Sequence, residues 1–103
     1  KARTKRFGCS IGEKMKVPHM GWNEVCPVSY RTLFKNFEDS ESRFYFVHSY
    51  YVECDDRRDV LASCVYGEEF ACAIAKENIY GVQFHPEKSH KFGMKLLKNF
   101  AEL

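Results

Sequence analysis

The chain has 103 residues, room for one small domain or half of a larger one, and its 16 basic against 14 acidic residues leave a formal charge of +2. That field is too weak to point to nucleic acid or a membrane surface as a partner. No apolar run approaches the ~18 residues needed to cross a bilayer, and the basic start (Lys1, Arg3, Lys5, Arg6) is followed by no apolar stretch of the secretory kind, so a cytoplasmic protein is expected.

Residues 1–15 show no periodicity and contain Gly8 and Gly12; they read as a connecting segment, with 16–103 forming a partial domain. The chain opens on Lys1 inside a polar stretch, as a piece of a longer sequence would. "KVPHMGWNEV" (16–25) puts a proline, a glycine and a tryptophan close together, which predicts a loop with bulky anchors. Within it Trp22 is either a core plug or a contact surface. "PVSYRTLFKNFEDS" carries Leu33, Phe34 and Phe37 among polar residues and predicts at most a short helical turn before a loop from Glu38 to Ser42. From Arg43, "RFYFVHSYYVE" is dense in aromatic and β-branched residues without strict alternation, so a strand covered on both faces is expected. "DVLASCVY", "FACAIAK" and "IYGVQF" follow after short turns, predicting antiparallel hairpins throughout. After Lys88 the apolar residues Phe92, Leu96, Leu97 and Phe100 recur at steps of three and four, the pattern of an amphipathic helix running to the C-terminus.

The chemistry concentrates at "YGVQFHPEKS" (80–89). A histidine just past a strand, followed by a stiff proline and a carboxylate, places Glu87 where it can orient His85 as a general base. The same tripeptide also fits a strand-end histidine beside a solvated glutamate. A nucleophile is the missing element. "FGCSIG" is the nearest approach to a nucleophile elbow, yet Gly8 touches Cys9 directly and Gly12 lies three residues beyond it, the wrong spacing on both sides. The five cysteines, Cys9, Cys26, Cys54, Cys64 and Cys72, are odd in number and form no CxxC pair, which suits reduced packing thiols. His19, His48, His85 and His90 have no metal-ligand spacing. Ser49 and Tyr50, at a strand end, could offer hydroxyls to a small polar ligand, or simply pack.

Three stretches taken in order, "PHMGWN" (18–23), "FYFVHSYY" (44–51) and "GVQFHPEKS" (81–89), with the helix after them, resemble the C-terminal half of a class I, triad-type glutamine amidotransferase. More narrowly, they are similar to the glutaminase subunits of imidazole glycerol phosphate synthase and their surface-polysaccharide paralogues. The resemblance covers 16–103 and implies an α/β fold, represented here mostly by antiparallel strands plus a C-terminal helix. It implies that His85 is the base and Glu87 its orienter in a Cys-His-Glu triad. It also implies that Ser49 and Tyr50 line the glutamine site, and that Trp22, Asn23, Tyr45 and Lys88 face a β/α-barrel cyclase subunit that receives the ammonia. No metal or organic cofactor is called for. The family's nucleophile elbow and oxyanion loop are not among these residues, so the isolated chain is expected to be inactive. Whether the acceptor is the histidine-pathway substrate or a polysaccharide sugar, or whether the chain only binds its partner, stays open at this level.

Overall fold

The computed structural model describes residues 2–6, 19–38 and 42–103. Eight strands and one helix are found among them: β1 (Ala2–Arg6), β2 (His19–Glu24), β3 (Cys26–Pro27), β4 (Arg43–His48), β5 (Tyr50–Cys54), β6 (Val60–Tyr66), β7 (Glu68–Lys76), β8 (Ile79–Val82) and α1 (His90–Ala101). They make an α/β unit of antiparallel sheets with a C-terminal helix, as expected. Short 3-10 turns at Thr32–Phe34, Arg57–Asp59 and Pro86–Lys88 complete it.

The larger sheet is built around β7. One edge of β7 carries β6, from Val60↔Ile74 to Tyr66↔Glu68 with two irregular steps near Ala62. β5 (Val52↔Ala71) and β8 (Ala73↔Val82 to Lys76↔Ile79) also pair with β7. β1 continues beyond β5, and β3 beyond β6. The smaller sheet is β2 paired with β4 in unbroken register, His19↔His48 to Glu24↔Arg43.

Several expectations are corrected. Residues 19–24 are a strand, not a loop: Gly21 adopts φ +119°, which glycine tolerates, so the pairing continues through the residue that reads as a breaker. Residues 2–6, placed in the connecting segment, pair with Tyr50–Cys54; Gly8, Cys9 and Gly12 lie outside the described residues. The run 43–53 is two strands in two sheets, broken at Ser49. Its first half alternates, with Phe44, Phe46 and His48 buried while Arg43 and Val47 are exposed, so only one face is fully covered. β5 and β6 form no hairpin, because β7 lies between them. The charged turn instead closes on itself, Asp56 accepting from the Arg58 amide and guanidinium.

The core is aromatic. Phe44 stacks on Phe84 with centroids 4.1 Å apart and packs against Phe37 and Phe34. All four rings are buried, and side chains of this size each contribute about 1.5–3 kcal/mol on leaving water. Helix α1 docks through Leu96 and through Asn99, whose amide donates to the carbonyls of Leu33 and Lys35, 2.8 Å each.

Candidate active site

His85 leaves the sheet on an anchored backbone. The Gln83 amide donates to the Cys72 carbonyl (2.8 Å), and Phe84 is held against Phe44. Both backbone groups of His85 are then engaged. Its N–H donates to the Tyr45 carbonyl (2.9 Å), and its carbonyl accepts from the Ser89 hydroxyl (2.6 Å) and the Lys88 amide (3.0 Å). Ser89 is fully buried, and its oxygen also accepts the Tyr45 amide at 3.0 Å. One residue of β4, Tyr45, therefore holds the turn at two points, and Ser89 is the clasp. Pro86 opens the 3-10 turn, where its missing N–H costs nothing, and Gly93 of α1 lies so close that a Cβ there would collide with the Pro86 carbonyl.

Within this frame His85 Nδ1 lies 2.9 Å from Glu87 Oε2. The Glu87 carboxyl is held below the usual range, first by a hydrogen bond from its own backbone N–H and then by the His85 side chain. A carboxylate can only accept, so Nδ1 carries the proton, and Nε2 of the neutral ring is the basic nitrogen. The pair is partly exposed.

The turn shares a face with β2 and β4. Trp22 stacks on His90 (5.6 Å, 10° between planes) and meets Tyr45 edge-on at 6.0 Å. Lys88 belongs to the His85 turn. Asn23 lies one residue on, its amide reaching the Val65 carbonyl at 3.0 Å. Trp22, Tyr45 and Lys88 are thus brought together with His85. Ser49 and Tyr50 sit past the far end of β4, where the chain passes from the small sheet to the large one, and the Tyr50 carbonyl accepts from His48 Nδ1 at 2.8 Å. Burial pushes the thiols up, Cys64 to about 12 and Cys72 well above its ordinary value. That makes both poor nucleophiles. Cys54 is raised too, by burial and then by Asp59, and Cys9 lies outside the described residues. Among the described residues no three His, Cys, Asp or Glu side chains are grouped to hold a metal ion.

Reading the sequence missed Ser89, Gly93 and His90 as parts of this arrangement. The serine closing "HPEKS" and a glycine inside a helical pattern were the available signals. Nothing in the spacing pointed to the pairing of His19 with His48.

The sequence model of the family "Glutamine amidotransferase class-I" matches residues 2–103. This chain belongs to the class I glutamine amidotransferases. Among curated relatives, this amidotransferase chain is 50% identical over 104 residues to the imidazole glycerol phosphate synthase subunit HisH of Leptospira borgpetersenii, covering 100% of this chain and 50% of the relative. The HisH subunit of Bdellovibrio bacteriovorus is 58% identical over 91 residues, 88% of this chain and 44% of its own length. A HisH 2 subunit of Methanococcus maripaludis is 54% identical over 101 residues, 98% and 48%. The chain therefore spans about half the length of the curated relatives it matches. The crystal structure of a protein described as a GMP synthase subunit, from Thermoplasma acidophilum, superposes with a TM-score of 0.73 over 98% of this chain and 47% of that one; at 22% identity the likeness concerns the fold.

Proposed function

We propose that this chain supplies the base and orienter, and part of the substrate pocket, of a glutaminase that delivers ammonia to a cyclase subunit of the imidazole glycerol phosphate synthase kind. The observation that carries the reading is the 2.9 Å contact of His85 Nδ1 with Glu87 Oε2 on a turn whose backbone is clamped on both sides of His85. The names of the HisH relatives support the choice of partner and pathway.

In this mechanism His85 Nε2 takes the proton of a cysteine thiol belonging to the half of the amidotransferase domain that these residues do not span. The thiolate attacks the side-chain amide carbon of glutamine. The imidazolium, stabilised by the Glu87 carboxylate, returns the proton to the departing nitrogen, and ammonia leaves. His85 then activates water to cleave the thioester, giving glutamate. Ser49 and Tyr50 hold the α-amino and α-carboxylate ends of glutamine. Trp22, Tyr45 and Lys88 face the cyclase, with the Trp22–His90 stack extending that aromatic and basic surface, while the Asn23 amide turns the other way, to His19 and Val65. The cell compartment is the cytoplasm, and no cofactor takes part.

The test uses the complete amidotransferase in complex with its cyclase. His85→Ala is expected to lower glutamine hydrolysis by about 10³-fold or more, and Glu87→Gln by roughly 10²-fold, with glutamine binding retained. Ammonia release by His85→Ala at the parental rate would sink the assignment.

A further inference from the structure

The two buried histidines that face each other across the small sheet form a chain of hydrogen bonds with one sense of polarity. His19 and His48 are 2% and 8% exposed, and His19 Nδ1 lies 2.8 Å from His48 Nε2. At one end, the Tyr50 carbonyl lies 2.8 Å from His48 Nδ1. A carbonyl can only accept, so His48 Nδ1 is protonated. At the other end the Asn23 amide is oriented by two backbone contacts: its oxygen accepts from the Glu24 N–H (2.8 Å) and its nitrogen donates to the Val65 carbonyl (3.0 Å). The second proton of that nitrogen points to His19 Nε2 at 3.2 Å, so His19 Nε2 accepts and His19 Nδ1 carries the proton. Assigned separately from its two ends, the chain agrees in the middle, where His19 Nδ1–H donates to His48 Nε2. Both rings are neutral in this arrangement. Burial, the leading cause, lowers both basicities, His19 to about 4.

Packing prevents the rings from turning. His19 is sandwiched between Tyr66 (3.9 Å) and Phe46 (4.8 Å), and His48 lies against Phe70 and Phe46. The far end of the chain is the Tyr50 carbonyl, in the bend that leaves β4 for β5.

We propose that His19 and His48 are positioning residues that hold the Ser49–Tyr50 backbone in its substrate-gripping shape by a one-way relay running Asn23, His19, His48, Tyr50. The inference rests on the glutaminase reading for what that backbone grips, the α-amino and α-carboxylate ends of glutamine. Those ends are remote from the scissile amide, so loosening the bend weakens ground-state and transition-state binding together. KM rises while kcat stays.

The experiment uses the complete amidotransferase with its cyclase. His48→Phe keeps the ring volume and removes both nitrogens; His48→Asn keeps a donor near the position of Nδ1. His48→Phe is expected to raise KM for glutamine about tenfold, the effect of one lost buried hydrogen bond, with kcat within about twofold, and His48→Asn to restore most of the affinity. An unchanged KM in folded His48→Phe, or a fall in kcat at unchanged KM, would overturn the proposal. If His48→Phe does not fold, nitrogen NMR of the parental protein near neutral pH decides: both rings neutral and protonated at Nδ1 supports the relay, and a ring that is charged or protonated at Nε2 alone overturns it. A complete parental enzyme that releases no ammonia from glutamine removes the glutaminase reading and leaves the tautomer result standing, so the two failures are distinct.

Discussion

At the scale of single residues, His85 is held more by its backbone than by its side-chain partner. Tyr45 and Ser89 fix the peptide of His85, and Gly93 lets α1 approach closely enough for the turn to rest on the helix. Mid-helix glycine costs about 1 kcal/mol relative to alanine, so its presence inside α1 demands a compensating contact, and the Pro86 carbonyl is that contact. Gly93→Ala is therefore expected to destabilise the protein by about 2–3 kcal/mol, since the obstacle is backbone rather than a flexible side chain. In the complete amidotransferase it should also slow glutamine hydrolysis more than tenfold by displacing His85. Urea unfolding together with an ammonia assay measures both. A variant with parental stability would mean that the turn and helix separate at little cost. The glycine was legible as an anomaly in the helical pattern, whereas its reason lay seven residues back in another element and was not.

At the scale of elements, the pairing of β2 with β4 brings the most chemistry together and was the least legible. Proline and glycine punctuation at 18–21 outweighed everything else in the reading of that stretch. Cross-strand partners decided otherwise, because Trp22 meets Tyr45 and His19 meets His48 once β4 is alongside. The buried histidine pair gives this element a pH signature. The folded-state pKa of His19 is lowered to about 4 from an ordinary 6.5, chiefly by burial and then by His48, and that of His48 is lowered as well. Between pH ~4 and ~6.5 the unfolded chain thus binds more protons than the folded one. Stability is present above the ordinary histidine range and falls as the pH drops through that window, with His19 and His48 acting in the same direction. Urea midpoints measured from pH 7 down to 4.5 check this. The dependence should flatten in a His19→Phe, His48→Phe double variant, and a flat parental profile would contradict it.

At the scale of the whole molecule, the helix pattern promised a single buried stripe, yet the structure uses only part of it. Leu96 is 3% exposed, while Leu97 and Phe100 are 47% and 52% exposed. Leu97 and Phe100 border an apolar cleft with Tyr80, Val82 and Pro86, beside strand β8, whose Ile79 is 72% exposed. Scattered apolar residues on a surface are ordinary; a contiguous set beside a short strand favours association. The 103-residue chain by itself is expected to self-associate as its concentration rises from micromolar upward. A Leu97→Glu, Phe100→Glu double variant should shift it towards monomer in sedimentation velocity. A parental chain that stays monomeric throughout would show that this face is compatible with water.

What the sequence by itself determined was local: the amphipathic helix, the β6–β7 and β7–β8 hairpins, and the adjacency of His85 and Glu87 on a proline-stiffened turn. These depend on contacts between near neighbours, whose geometry periodicity and turn chemistry specify. The three family stretches were legible only as a resemblance to known amidotransferases, not from periodicity or turn chemistry. Only the tertiary structure decided that β7 would separate β5 from β6, that Ser89 would clasp His85 to β4, and that His19 and His48, 29 positions apart, would meet at hydrogen-bond distance. Those outcomes depend on which strand edges meet, and edge choice is settled by burying the Phe44–Phe84 core as a whole rather than by any one segment's pattern.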